Sequence, residues 1–213
     1  MKQAVSRRQK NLRQTLMKIL HKLLLVLVFS TMAVGAAYAQ ASTLDKENIL
    51  YIDTKDGRIA IQLRPDLAPG HVARIKKLAR EGFYDGIVFH RVLDGFMAQT
   101  GDPDGTGAGG SKYPDLKAEF SKAPFKRGTV GAARTRDPNS ANSQFFIVLD
   151  DATHLNGQYT VWGEVIRGMD RVDGIKKGDR RRNGTVDKPD KMLKVTVAAD
   201  AKDHSVLSEP ASP

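Results

Sequence analysis

The chain has 213 residues, 40% hydrophobic and 27% charged, a balance that fits one globular domain with tails and excludes a fibrous or wholly disordered chain. It contains no cysteine, which excludes thiol nucleophiles, cysteine metal sites and disulfides. The net charge of +10 is uneven: residues 1–39 hold seven Lys and Arg and no acid, leaving 27 basic against 24 acidic residues elsewhere, a net of +3 that calls for no nucleic-acid partner.

Residues 1–39 read as a secretory signal peptide. Lys2, Arg7, Arg8, Lys10, Arg13, Lys18 and Lys22 form a basic lead, Leu23 to Phe29 an apolar run, and Ala37-Tyr38-Ala39 a small-x-small cleavage pattern. Cleavage after Ala39 or Ala41 would start the mature chain at Gln40 or Ser42. The apolar or small stretch from Leu23 to Ala37 is shorter than the roughly twenty residues a bilayer core requires, so no stable membrane insertion is expected after cleavage.

Ile49–Ile52 and Ile59–Leu63 flank Lys55-Asp56-Gly57-Arg58, a hairpin pattern in which Ile59, Ile61 and Leu63 share a face. His71 to Arg80 fits a helix with Val72, Ile75, Leu78 and Ala79 inward, ended by Gly82. Strands are predicted over 87–92, 128–131, 144–149 and 159–165, a short helix over 169–177, and a last strand over 192–197. Residues 101–110 hold five glycines and read as a loop, and residues 201–213 as a disordered tail. Many short strands with two helices favour a mainly β fold: a closed, largely antiparallel barrel with no open edge.

Gly105 to Gly110 matches G-x-G-x-x-G, but Pro114 follows too soon for a helix to open there, so a surface loop is the better reading. The histidines His21, His71, His90, His154 and His204 show no metal-ligand spacing, and His90 reads as a satisfied structural residue. Lys176 to Arg182 reads as a solvated basic loop. Arg91 stands apart. Arginine is rarely buried without a partner and stays charged, strand register from Phe89 puts Arg91 on the same face as that ring, and Phe96, Met97 and Gln99 lie within nine residues of it.

Phe89-His90-Arg91-Val92, Gly95-Phe96-Met97-Ala98-Gln99, Gly101-Asp102 and Asn142-Ser143-Gln144-Phe145-Phe146-Ile147, in that order, resemble the signature of the cyclophilins, the peptidyl-prolyl cis-trans isomerases. The likeness runs from about Asn48 to Asp200 and is nearest to the bacterial exported, periplasmic members. It implies an eight-stranded antiparallel barrel closed by two helices, with the site on its outer face. It implies Arg91 and Gln99 as catalytic residues, a proline pocket of Phe96, Met97, Phe146 and Leu155, and Gln144 orienting the peptide beside Gln99. Gly105 and Ala133 would line the groove. His154 stands where eukaryotic members have a tryptophan and Tyr159 where they have a histidine; both are expected to touch substrate. Because that tryptophan is a main contact for the drug cyclosporin, weak cyclosporin binding is expected. The implied activity is isomerisation of Xaa-Pro bonds in exported proteins, by a monomer acting on proline-containing polypeptides without metal or other cofactor. A proline-peptide binding module without turnover is the alternative.

Overall fold

The computed structural model describes residues 44–209; the expected signal peptide lies outside them. Two strands, β1 (Ile49–Thr54) and β2 (Gly57–Leu63), form the predicted hairpin, with Leu50 opposite Ile61 and Ile52 opposite Ile59. Gly57 has φ +120°, a backbone that only glycine adopts freely, and it closes the turn with Thr54 Oγ1 donating to its carbonyl at 2.9 Å.

Helix α1 (Pro69–Arg80) follows and buries Val72, Ile75, Leu78 and Ala79, as the periodicity requires. Pro69 sits in the first turn, where its missing N–H costs nothing. Ala68 at the N-cap offers no side-chain acceptor. Glu119, far along the chain, supplies one: its carboxylate accepts from the amides of Gly70 and His71 at 3.0 Å each and meets His71 Nδ1 at 2.6 Å. Burial tends to raise the Glu119 carboxyl, but hydrogen bonds from the His71 ring and the Gly70 and His71 amides outweigh it and hold the group below its ordinary value. Its stabilisation is therefore complete above the unfolded carboxylate value of about 4.3 and is lost as pH falls through the lower folded value. Glu119→Ala should cost about 1–3 kcal/mol in urea unfolding at pH 7. Glu119→Gln should lose this part of the acid limb; an acid limb unchanged from wild type would refute the cap.

Six more strands complete the sheet: β3 (Arg91–Leu93), β4 (Met97–Thr100), β5 (Thr129–Ala132), β6 (Phe145–Val148), β7 (Val161–Arg167) and β8 (Lys194–Val197). All pairings are antiparallel, in the order β3-β4-β6-β5-β7-β2-β1-β8. The expected closed barrel is thereby corrected: the sheet is an open half-barrel whose end strands, β3 and β8, do not pair. The physical reason lies in the chain after helix α2 (Met169–Gly174). It fills the seam without forming a strand. Val92 N donates to Gly184 O at 2.8 Å, Gly178 N to Val92 O at 2.9 Å, and Leu193 N to Asp53 O at 2.7 Å. The β3 edge is thus covered by irregular backbone, while Leu193 extends the pairing of β8 with β1 and Val195 N of β8 donates to Asp85 Oδ1 at 2.9 Å.

The strand predicted over 87–92 begins only at Arg91; before it, Val88 makes one isolated bridge to Lys191. Helix α2 stops at Gly174, short of the predicted 177, because Ile175 turns extended at ψ 132°. His90 is buried, and that burial lowers its pKa and keeps it neutral.

The expected disordered tail is corrected over residues 201–209. Val206 is 2% exposed and packs with Ile49, Tyr51 and Ala60 on the outer face of the β1–β2 hairpin. Tyr51 Oη meets His204 Nδ1 at 3.1 Å, and Arg171 Nη2 donates to Glu209 Oε2 at 2.6 Å. This segment covers apolar side chains that strand alternation would otherwise leave in water.

The main core lies on the inner face of the sheet, with Trp162 edge-on to Phe145 at 5.3 Å. A second, smaller cluster lies on the opposite face: Met97, Phe125, Phe146, Val148, Leu155 and Val161, flanked by Phe96, Ala133 and Tyr159.

Candidate active site

The site is built from one row across the sheet. Arg91 on β3 pairs with Gln99 on β4, Gln99 with Phe146 on β6, and Phe146 with Gly131 on β5. Side chains directly opposite in a ladder share a face, so the alternation that sends Val92, Ala98, Phe145 and Ile147 inward sends Arg91, Gln99, Met97 and Phe146 outward. Gly131 keeps the row low: a Cβ there would lie 2.6 Å from Phe146 Cζ and 2.7 Å from Phe125 Cε1. The Phe125 and Phe146 rings stack at 5.8 Å across that gap.

A cavity of about 110 Å³ opens on this face, lined by Arg91, Phe96, Met97, Gln99, Ala133, Arg134, Phe146, Leu155 and Tyr159. Phe96 and Leu155 arrive from turns. Leu155 closes the short turn Thr153–Leu155, whose backbone is tied by Ala152 N donating to Phe125 O at 2.9 Å. Tyr159 stands edge-on to Phe146 at 5.8 Å. His154 packs on Phe96 at 5.4 Å between ring centroids, at the rim and not among the residues lining the cavity.

Arg91 is gripped on two sides. Its Nε donates to Asn183 O at 3.0 Å, Nη2 to Asn183 Oδ1 at 3.1 Å, and Nη1 to Gln99 Oε1 at 3.1 Å, with Met97 Sδ 4.0 Å from Nη1. Among the described residues these partners are all uncharged. Burial pulls the guanidinium below the ordinary arginine value, opposed by nearby Tyr159, yet arginine stays charged at any working pH. The result is a fixed cation at the edge of a cavity that Phe96, Met97, Phe146 and Leu155 wall with apolar side chains.

The hydrogen bonds continue past Arg91. Gln99 Nε2 donates to Gln144 Oε1 at 2.9 Å, and Gln144 Nε2 donates to Gly107 O at 3.0 Å and Gly109 O at 2.8 Å. The glycine loop is held from beneath by Asp102, fully buried, which accepts from the amides of Asp104 and Thr106 at 2.9 Å each and of Gly107 at 2.5 Å. Burial alone would raise the Asp102 carboxyl; the amides of Asp104, Gly109 and Gly107 hold it below its ordinary value. The loop forms turns and bends and opens no helix, as its proline suggested.

Two open grooves flank the cavity and share Gln99 and Arg134 with it. One, of about 610 Å³, runs past Gly107 to Ser111, Ala133, Asn142 and Gln144. The other, of about 560 Å³, runs past His90, Thr106 and Thr185 and contains Gly105, which lies outside the cavity itself.

The structure therefore gathers Arg91, Phe96, Met97, Gln99, Ala133, Phe146, Leu155 and Tyr159 around one cavity, with Gln144 and Gly105 in the adjoining grooves and His154 at the rim. Sequence reasoning missed Asn183, Arg134 and Phe125. Asn183 follows the basic run in the left-handed conformation, φ 54°, which asparagine tolerates better than most residues; only that conformation offers a sequence hint. Among the described residues, no group of three or more His, Cys, Asp or Glu is placed to hold a metal ion, and no helix is long and apolar enough to cross a membrane.

A family model described as cyclophilin type peptidyl-prolyl cis-trans isomerase matches residues 49–197. The chain is 55% identical over 197 residues to a probable peptidyl-prolyl cis-trans isomerase of Brucella suis, covering 87% of this chain and 100% of that protein. It is 43% identical over 132 residues to peptidyl-prolyl cis-trans isomerase B of Bacillus subtilis, covering 61% of this chain and 91% of that one. Among solved structures, a cyclophilin from Hirschia baltica superposes with a TM-score of 0.67 at 27% identity, over 74% of this chain and 76% of that chain. A cyclophilin-type isomerase of Cryptosporidium parvum, crystallised in the presence of the dipeptide Ala-Pro, gives 0.64 at 25% identity, over 70% and 98%.

Proposed function

This chain belongs to the cyclophilin-type peptidyl-prolyl cis-trans isomerase family and is an isomerase of that class, and we propose that Arg91 stabilises the twisted prolyl bond while the cavity beside it holds the proline ring. The observation that carries this reading is the placement of Arg91 Nη1, 3.1 Å from Gln99 Oε1 at the edge of a cavity walled on its other side by Phe96, Met97, Phe146 and Leu155, with only neutral partners.

Resonance makes rotation about a peptide C–N bond cost about 18–20 kcal/mol. For Xaa-Pro the isomers differ by only about 1 kcal/mol, yet exchange takes tens to hundreds of seconds. No bond need break. In the twisted state resonance is lost and the prolyl nitrogen gains a lone pair that can accept a hydrogen bond. A donor aimed there interacts weakly with the planar peptide and strongly with the twisted one, which is differential binding of the transition state. Arg91 supplies such a donor without proton transfer, so no general acid or base is required.

One charge-assisted hydrogen bond supplies about 1.5–3 kcal/mol. Shortening about 100 s to about 1 ms requires about 7 kcal/mol. The remainder falls to the cavity and to Gln99 and Gln144, which hold the ring and one flank of the peptide while the other flank rotates. The Ala-Pro dipeptide used with the Cryptosporidium parvum relative is a suitable minimal ligand for this cavity. The test is cis-to-trans exchange of a short Ala-Pro peptide, read with and without the purified protein. Absence of acceleration would overturn the reading.

The physiological substrates in this reading are exported polypeptides folding in the periplasm, met by a monomer. The basic lead, apolar run and Ala37-Tyr38-Ala39 support export. Mass spectrometry of the exported protein should find Gln40 or Ser42 at its N-terminus; an unprocessed Met1 would refute cleavage. Cyclosporin should bind weakly, because the rim position on Phe96 carries an imidazole and not an indole. His154→Trp should tighten cyclosporin by about tenfold, the equivalent of one good aromatic contact of about 1.4 kcal/mol. An unchanged affinity in a titration would remove His154 from the explanation.

A further inference from the structure

The geometry points to Arg134 as a second, specificity-determining cation, which makes the enzyme favour an acidic side chain one or two residues from the proline. This rests on the isomerase reading and extends it to substrate choice.

Among the described residues, Arg134 is the one charged residue that lines the cavity and both grooves beside it; Arg91 lines the cavity and the smaller groove only. Its guanidinium carbon lies 4.4 Å from the centroid of the Tyr159 ring, so the cation sits on the cavity wall itself. It is pinned: Nη1 donates to Thr135 O and Nη2 to Gln158 O, each at 2.8 Å. These two carbonyls tie it to both loops that border the site.

Two carbonyls do not exhaust a guanidinium, which carries five N–H groups. The buried Nε is out of a ligand's reach, but Nη1 and Nη2 each make one hydrogen bond and each carries a second N–H, and among the described residues Arg134 makes no ion pair. The side chain is therefore fixed and charged, with donors to spare, where a peptide neighbouring the proline must pass. A carboxylate on that peptide would meet a preorganised cation without the cost of ordering it. A lysine there would meet a like charge. The larger groove also contains Asp115, but its carboxylate accepts from Asn142 Nδ2 at 2.9 Å, and Asp115 does not line the cavity. The negative charge thus lies away from the proline and the positive charge beside it.

The test uses matched Ala-Pro peptides carrying Glu, Gln or Lys at each of the two positions on either side of that dipeptide. For each, kcat/KM and the peptide dissociation constant are measured at about 20 mM and about 500 mM salt. At one position or more, wild type should favour Glu over Lys by about fivefold at low salt, and the ratio should shrink at high salt. Arg134→Glu should reverse the ratio and Arg134→Lys should keep its sign. Arg181→Glu, a change at a side chain 92% exposed, should leave it near the wild-type value. A wild-type ratio near one at every position, or a ratio that Arg134→Glu does not move, overturns the proposal. The ratio is internal to each variant, so a general loss of activity does not mimic it. If no peptide is isomerised, the dissociation constants still yield the ratio, while the isomerase reading falls separately.

Discussion

Arg91→Ala should lower kcat/KM for an Ala-Pro peptide by roughly 10- to 150-fold, the loss of one charge-assisted hydrogen bond worth about 1.5–3 kcal/mol. The loss should fall mainly on kcat. The planar ground state gains little from the donor, so KM should change little. Arg91→Lys should rescue little of it. The wild-type side chain holds Asn183 with Nε and Nη2 and Gln99 with Nη1 at once, and this fork is what aims it. An ammonium keeps the charge but cannot grip both sides in one plane. The thermal midpoint should move little, since the partners left behind are uncharged and only partly buried. Stopped-flow or exchange NMR on the three proteins decides the matter. A fully active Arg91→Ala variant would sink the mechanism while leaving the family assignment intact.

Gly131→Ala should damage the site through a residue that never touches substrate. Its φ is not positive, so the strain is purely steric: the new methyl would lie 2.6 Å from Phe146 Cζ and 2.7 Å from Phe125 Cε1. One ring must move. Phe125 is fully buried, whereas Phe146 has the 110 Å³ cavity on its other side. Phe146 should therefore shift into the cavity and fill the space for the proline ring. Overpacking of this kind costs about 1–3 kcal/mol, and kcat/KM should fall by at least about tenfold. Gly163→Ala provides the control. There the added Cβ would lie 2.8 Å from Ile61 Cγ2, on the inner face. That variant should lose comparable stability yet keep its activity per folded molecule. Equal activity in the two variants would show that the outer cavity does not depend on Gly131.

Alternation holds within the strands but not into them: register counted from Phe89 puts that ring beside Arg91, whereas Phe89 lies in the inner core and Arg91 faces outward, because the strand begins only at Arg91. Arg91, Met97, Gln99 and Phe146 are placed outward by the same period of two that sends Val92, Ala98, Phe145 and Ile147 inward, and the β1–β2 hairpin announces itself with Asp56-Gly57. Other features have no local signature. The general need to hide strand edges implies a closed barrel, but this chain covers β3 with irregular backbone at Gly178 and Gly184 and ties residues 190–192 to 86–89 outside any strand. The tail looked disordered because Ser, Pro and charge dominate it. Val206 and Leu207, with Asp203 held by Arg58 and His204 by Tyr51, dock it on a hairpin whose outer face is apolar, and Glu209 ties its end to Arg171 of helix α2.

Residue types and their periodicity were enough for the sheet-rich fold, and the motifs at 89–102 and 142–147 carry the resemblance that implies the family and the outer face on which the cation and the aromatic rings meet. What no local pattern contained was the grip of Asn183 on Arg91, the reach of Arg134 across the cavity wall, the Glu119 cap and the open seam. Each joins segments between about 25 and 90 positions apart in the chain, or sets one element beside another, and such distances are fixed only when the packed core brings the segments together.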